Sequence, residues 1–320
     1  MPVDRPDSTD DPDELGPGRP PDDPQAPDAA PPLPLDQANR VTVHRANRAE
    51  VEQAYAAHQE SARGDTPGAT VDPDPPSRSW DEALPSLRAA WEQHQVRYPE
   101  RERATPQTHN DGSWTSGEAR RLTPEQNSEA AKACADIHDE GERAVLPAMR
   151  QLEAADPNRG LVGLEHRLKG EDRLKEKIAD ALRGRPGLTP TQALSIVPDP
   201  VRFTFEYSPD RYADGVIADV ERLKKVGLEE VKLKNLWSDE QYKGINSQWR
   251  RPETGLRIEV QFHTPASLEA KELTHKAYER IRSTNTSPTE RDELEAFQRR
   301  VNARLDTPPG TTEIPDFPEK

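Results

Sequence analysis

The first 40 residues hold eleven prolines and ten aspartates or glutamates, and this combination limits how much of the chain can fold. Proline removes backbone donors and like charges repel, so neither helix nor sheet gains enough there to offset the lost chain entropy. Residues 1–40 are therefore expected to form a disordered, acidic, Pro-rich arm. The acidity is confined to the same half of the chain. Residues 161–320 carry 28 acidic and 27 basic side chains, which leaves 31 acids and 17 bases for residues 1–160. A balanced C-terminal half argues against a nonspecific duplex-DNA binder, which needs a basic face. It leaves room for a phosphate site, which needs only local cations. Cys134 is the single cysteine, which excludes an intrachain disulfide and a cysteine-based zinc site. The start, Met1-Pro-Val-Asp-Arg-Pro-Asp, has no apolar run, and no segment reaches the roughly 18 apolar residues of a membrane span. A chain without signal peptide or membrane partner is expected.

Residues 41–115 read as a low-complexity linker with short helices, one near Val51–Ala57 and an amphipathic one from Trp80 to Tyr98. In the latter, Leu84, Leu87, Ala90 and Trp91 share a helical spacing. It can dock on the folded part or bind a partner. A stronger helix begins at Leu122-Thr-Pro-Glu-Gln126, where Thr123 caps, Pro124 fits the first helical position and Gln126 completes a capping box. Its apolar residues run to Leu152. Residues 116–305 form the folded domain, and 306–320 a Pro-rich tail.

Within that domain the periodicity predicts a strand over 161–168, helices over 171–182 and 189–196, and a half-buried strand over 201–207. A helix over 212–226 follows, then strands over 228–236, 244–249 and 256–264. Helices over 266–283 and 288–304 close it. The fold class is α+β: a mixed sheet of about five strands covered by helices on one side, preceded by a long, disordered, partly helical N-terminal region.

The segment Leu256-Arg-Ile-Glu-Val-Gln-Phe-His263 carries the most chemistry. Alternate strand residues share a face, so Arg257, Glu259, Gln261 and His263 project together while Ile258, Val260 and Phe262 enter the core. Lys232, Lys234, Arg202 and Asn246 come from other predicted strands. Two carboxylates on separate elements, Asp199 and Glu259, with a set of cations and an aromatic, are the parts of a magnesium-assisted nucleotide transferase.

The order of these segments resembles the synthetase domain of the RelA/SpoT family of alarmone synthetases, which has a nucleotidyltransferase-like fold. The resemblance covers about residues 160–283. It implies that Glu259 is the base that takes the proton of the acceptor 3′-hydroxyl and helps hold Mg²⁺, and that Asp199 is the other magnesium ligand. It assigns Arg167, Lys169, Lys177, Lys234 and Lys243 to ATP phosphates. The stretch Tyr242-Lys243-Gly244-Ile245-Asn246 is similar to the family's acceptor loop, with Gln241, Gly244 and Asn246 replacing a glycine, a serine and a histidine. Tyr242 is thereby implied to stack on the acceptor base, with Asn246, Gln261 and His263 beside it. His275, Tyr278 and Glu279 resemble a further signature. No hydrolase half is apparent, and the isolated pair His138-Asp139 lacks the partners that a metal site needs.

The resemblance implies an ATP-dependent, Mg²⁺-dependent nucleotide 3′-pyrophosphokinase, with GDP, GTP or an adenine nucleotide as acceptor. An acidic arm ahead of a compact catalytic domain also resembles the layout of bacterial toxin-effectors. That layout implies a growth inhibitor acting in the cytoplasm, delivered by a dedicated secretion system and neutralised by an antitoxin or immunity protein. Two rival readings are pyrophosphorylation of the tRNA 3′ end and a noncatalytic nucleotide-binding module.

Overall fold

Capping and alternation signals become helices and strands over most of the C-terminal three quarters of the chain. The computed structural model describes residues 79–99, 105–117, 120–283 and 285–317. The arm expected over 1–40, the helix near Val51 and the remaining linker up to residue 78 lie outside them. Helix α1 spans Trp80–Arg97. Strands β1 (Gln107–Thr108), β2 (Trp114–Ser116) and β3 (Arg120–Leu122) form a small antiparallel sheet. It begins within the stretch read as linker, because strands of two or three residues are too short to show alternation.

Helix α2 (Pro124–Glu140) starts on the expected capping box: Thr123 Oγ1 accepts from Gln126 N, and Gln126 Oε1 accepts from Thr123 N. The helix does not run unbroken to Leu152. A π-helical turn at Gly141–Val145 precedes α3 (Leu146–Ala154), next to Pro147, which offers no backbone donor to the turn before it. A Cβ at Gly141 would lie 2.9 Å from Leu168 Cδ2, so glycine lets this bulge press against the sheet edge.

Strand β4 (Arg159–Val162) is shorter than the expected strand over 161–168 and starts earlier. Gly163 turns left-handed at φ 63° and a 3-10 turn occupies Leu164–His166. The chain then regains the edge, with Leu168 bridged to Val201. Next come α4 (Glu171–Gly184), α5 (Pro190–Ser195), β5 (Val201–Tyr207) and α6 (Tyr212–Lys225). The chain continues through β6 (Glu229–Asn235), β7 (Ile245–Arg250), β8 (Arg257–His263), α7 (Pro265–Ile281) and α8 (Pro288–Asn302).

The main sheet is mixed, ordered β4-β5-β8-β7-β6, with β5 and β8 parallel and the other pairs antiparallel. One face is apolar: Phe203, Phe205, Trp249, Ile258, Val260 and Phe262 pack with Met149 and Leu152 of α3 and Val216 and Leu223 of α6. The cover is not one-sided, however. Ser267 and Lys271 of α7 bond to His263 and Gln261 on the polar face. Strand β5 is accordingly more enclosed than half-buried, with Thr204 only 8% exposed.

Two flanking pieces dock by mixed contacts. Helix α1 packs Trp80, Leu84 and Leu87 against Ala270, Leu294 and Phe297 of α7 and α8. Trp80 Nε1 and Arg88 both donate to the Glu269 carboxylate, each at 2.9 Å. The small sheet grips α4 through Trp114 to Asp172, Ser116 to Glu176 and Arg120 to Asp180. These acids lie four residues apart and so share one helix face. Cys134 is buried, and burial raises its thiol to about 12, which makes it inert. No helix of the described residues is long and apolar enough to cross a membrane.

A fully buried ion pair fixes the far end of the sheet. Arg159 and Asp219 have side chains 0% exposed and bond to each other. Tyr207 Oη and Arg222 also donate to Asp219, each at 2.6 Å, and Arg159 reaches the Leu152 carbonyl at 2.5 Å. Removing one partner strands the other charge away from water. Asp219→Ala is expected to lower the unfolding free energy by about 3–5 kcal/mol, measured by urea titration. An Arg159→Met/Asp219→Leu double variant should recover much of that loss. A single variant as stable as the wild type would show that the pair is not held as described.

Candidate active site

Strand register assembles the polar face. The parallel pairing sets Arg202 beside Glu259, Thr204 beside Gln261 and Glu206 beside His263. Strand β7 adds Gln248 opposite Glu259 and Asn246 opposite Gln261, and β6 adds Lys232 opposite Gln248 and Lys234 opposite Asn246. In-register neighbours share a face, so two rows of polar side chains cross four strands.

The charged half centres on Arg202. Its guanidinium bonds Glu259 Oε2 and, at 3.0 Å, Asp199 Oδ2, while Lys169 Nζ donates to the same Asp199 oxygen at 2.7 Å. The two carboxylates are 14% and 16% exposed. Both are therefore within the span of one guanidinium, and both are largely desolvated. The loop before β5 brings Lys169 here: its N–H donates to the Pro200 carbonyl, and His138 bonds its carbonyl at 2.9 Å. Thus His138, isolated in sequence, supports the Lys169 loop. Asp199 Oδ1 is buried with no partner among the described residues. A buried carboxylate oxygen left unsatisfied is costly unless something binds it. Two carboxylates, one with such an oxygen, fit Mg²⁺, which takes one or two carboxylates and completes its shell with substrate phosphates and water.

The other half is a hydrogen-bonded network. Tyr242 Oη donates to Asn246 Oδ1 at 2.8 Å and lies 2.8 Å from His263 Nε2, and His263 Nδ1 is 2.9 Å from Ser267 Oγ. Tyr242 meets the imidazole edge-on. His263 is 0% exposed, and burial, followed by Lys271, pushes its pKa well down, so it is neutral. Gly244, at φ 145°, is required here: a Cβ would lie 2.7 Å from His263 Cε1. Lys271 Nζ reaches Gln261 Oε1 at 2.5 Å.

The structure brings Lys169, Asp199 and Glu259 together at one end of this face, and Tyr242, Asn246, Gln261 and His263 beside them. Lys234 is exposed on the same face, in register with Asn246. Gln261 and His263 are not on a solvated face: they are 4% and 0% exposed, because α7 lies over them. Three phosphate candidates are not part of these ion pairs. Arg167 adjoins the site, its carbonyl accepting from Arg202 N at 2.7 Å, while its guanidinium meets Glu142 at 2.5 Å and the Leu164 carbonyl at 2.6 Å. Lys243 Nζ turns back to the Trp237 carbonyl at 2.6 Å, and burial lowers its pKa. Lys177 lies on α4 with no ion pair or hydrogen bond among the described residues. The bridging role of Arg202 and the presence of Lys271 were not evident from the sequence. The signal for Lys271 was its spacing from His275, one turn further along the same helix face.

Burial, then Arg202, lowers Lys271 from its ordinary 10.5 to about 8, with Glu259 and Glu272 acting against the shift. Between about pH 8 and 10 the unfolded chain therefore holds a proton that the folded one has released, and stability rises with pH through this window. Urea titrations should show this gain in the wild type and not in Lys271→Met. Parallel stability curves for the two proteins would place Lys271 in an ordinary solvated setting.

No family model matches the chain, and no curated protein matches it. Solved structures do. A GTP pyrophosphokinase family protein from Streptococcus pneumoniae is 15% identical, with 56% of this chain and 89% of that one covered at a TM-score of 0.37. The small alarmone synthetase 1 from Bacillus subtilis, bound to its product pppGpp, is 14% identical, with 42% and 67% covered at a TM-score of 0.30. The small alarmone synthetase 2 from the same organism is 17% identical, with 50% and 90% covered at a TM-score of 0.31.

Proposed function

We propose that this protein is a magnesium-dependent pyrophosphokinase that transfers the β,γ-pyrophosphate of ATP to the 3′-hydroxyl of a nucleotide acceptor. The observation that carries this reading is the pair Asp199 and Glu259, held by Arg202 and Lys169, with one Asp199 oxygen buried and unsatisfied. The motif resemblance supports the same roles.

In this reading Arg202 and Lys169 exchange their carboxylate partners for phosphate oxygens when ATP enters. Fork geometry suits Arg202 to the phosphates, and Lys169 acts as a point charge. That exchange frees Glu259 to accept the acceptor's 3′-hydroxyl proton. The hydroxyl oxygen then forms a bond to the β-phosphorus, and the bond from that phosphorus to the α,β-bridging oxygen breaks, releasing AMP. Asp199 and Glu259 would hold a magnesium ion, which when bound neutralises phosphate charge. Tyr242, braced by Asn246 and His263, borders the acceptor half. Catalysis is then mostly positioning and charge neutralisation.

The test is incubation with γ-labelled ATP and Mg²⁺ against GDP, GTP, AMP, ADP, ATP and tRNA as separate acceptors. Labelled nucleotide product is expected; label on tRNA alone would move the reaction to the nucleic-acid reading. Glu259→Gln should cut transfer by about 10²–10⁴-fold, the usual range for loss of a general base. Asp199→Asn should abolish the magnesium-dependent rate, since a hard cation needs the charge. Near-normal transfer by Glu259→Gln would sink the assignment. If the activity inhibits growth, expression of the wild type in bacteria should do so and Glu259→Gln should not.

A further inference from the structure

The cations on the polar face differ in how they are satisfied. Arg202 pairs with Glu259 and Asp199, Lys169 with Asp199, and nearby Arg167 with Glu142. Lys271 is different. Among the described residues its hydrogen bond is to the Gln261 amide oxygen, and no carboxylate pairs with it. Glu259 and Glu272 act on it only at longer range, while Arg202 repels it. A half-buried ammonium beside another cation, held by a neutral amide, has an unfilled need for negative charge.

Its position says which part of a ligand would meet that need. Lys271 stands over Gln261, whose row continues through Asn246 to Lys234. Tyr242 joins this row through its bond to Asn246. Lys169 and Asp199 lie on the opposite side of Glu259, near the start of β5. We infer that Lys271 binds a phosphate of the nucleotide acceptor. The inference rests on the proposed reaction for the word acceptor, and on the unpaired amine for the anion itself. The Gln261 amide orients the ammonium, and Lys234, exposed further along the row, lies where a longer phosphate chain would extend. In this arrangement Lys271 acts in binding and takes no part in the proton transfer at Glu259.

Calorimetry on the full chain, with Mg²⁺ and without ATP, tests this using GDP and ADP against guanosine and adenosine as probes. Lys271→Met is expected to weaken the diphosphates about 10- to 100-fold, the scale of one charge-assisted hydrogen bond. It should leave the nucleosides unchanged, and Lys271→Arg should restore the diphosphates. Equal diphosphate affinity in wild type and Lys271→Met would overturn the inference, since binding would then sit wholly on the Lys169 side. Equal weakening of diphosphates and nucleosides would overturn it too, because that marks a packing role. Turnover is not needed for this readout. Absence of pyrophosphate transfer in the wild type would remove the proposed reaction, while the anion site stands or falls on the titration.

Discussion

The parallel pairing of β5 with β8 is the constraint on which the rest of the molecule depends. Shifting that register by one residue would turn Arg202 away from Glu259 and drive Phe203 or Phe205 out of the core. Parallel strands need a long crossover, and here the chain between them also supplies α6, β6 and β7. One hydrogen-bond ladder thus sets the apolar face against α3 and α6 and brings the charged groups of three separate segments together. The buried Arg159–Asp219 pair stabilises the other end of the same unit, where β4, α3 and α6 meet.

Much of this was legible because it follows short-range rules. The Thr123 cap, the alternation of β8 and the helical spacing around Leu84 and Leu87 each concern neighbours within a few residues. The sequence places Asp199 before one strand and Glu259 on the polar side of another, and the parallel register brings both to Arg202. What sequence could not supply was partner choice between distant residues. Glu142 stands beside Arg167, and the Trp237 carbonyl takes the Lys243 amine. Asp172, Glu176 and Asp180 on α4 each receive a bond from the small sheet, some 60 residues away in the chain.

Lys271 is a different case. Its spacing from His275 marks its helix face, but only the path of α7 across β8 puts it over Gln261. His263 likewise reads as a group exposed to a ligand, whereas burial makes it a brace for Tyr242. A strand residue's face can be read from parity; what covers that face depends on the element that follows.

The Arg202 bridge has a consequence for how a ligand finds this face. With Asp199 and Glu259 each neutralised by cations of the same chain, the Arg202 end of the face projects little field beyond a few ångströms. Capture then works by exchange at contact rather than by attraction at a distance. At that end discrimination would fall on how well the ligand's oxygens replace the carboxylates that already occupy the arginine.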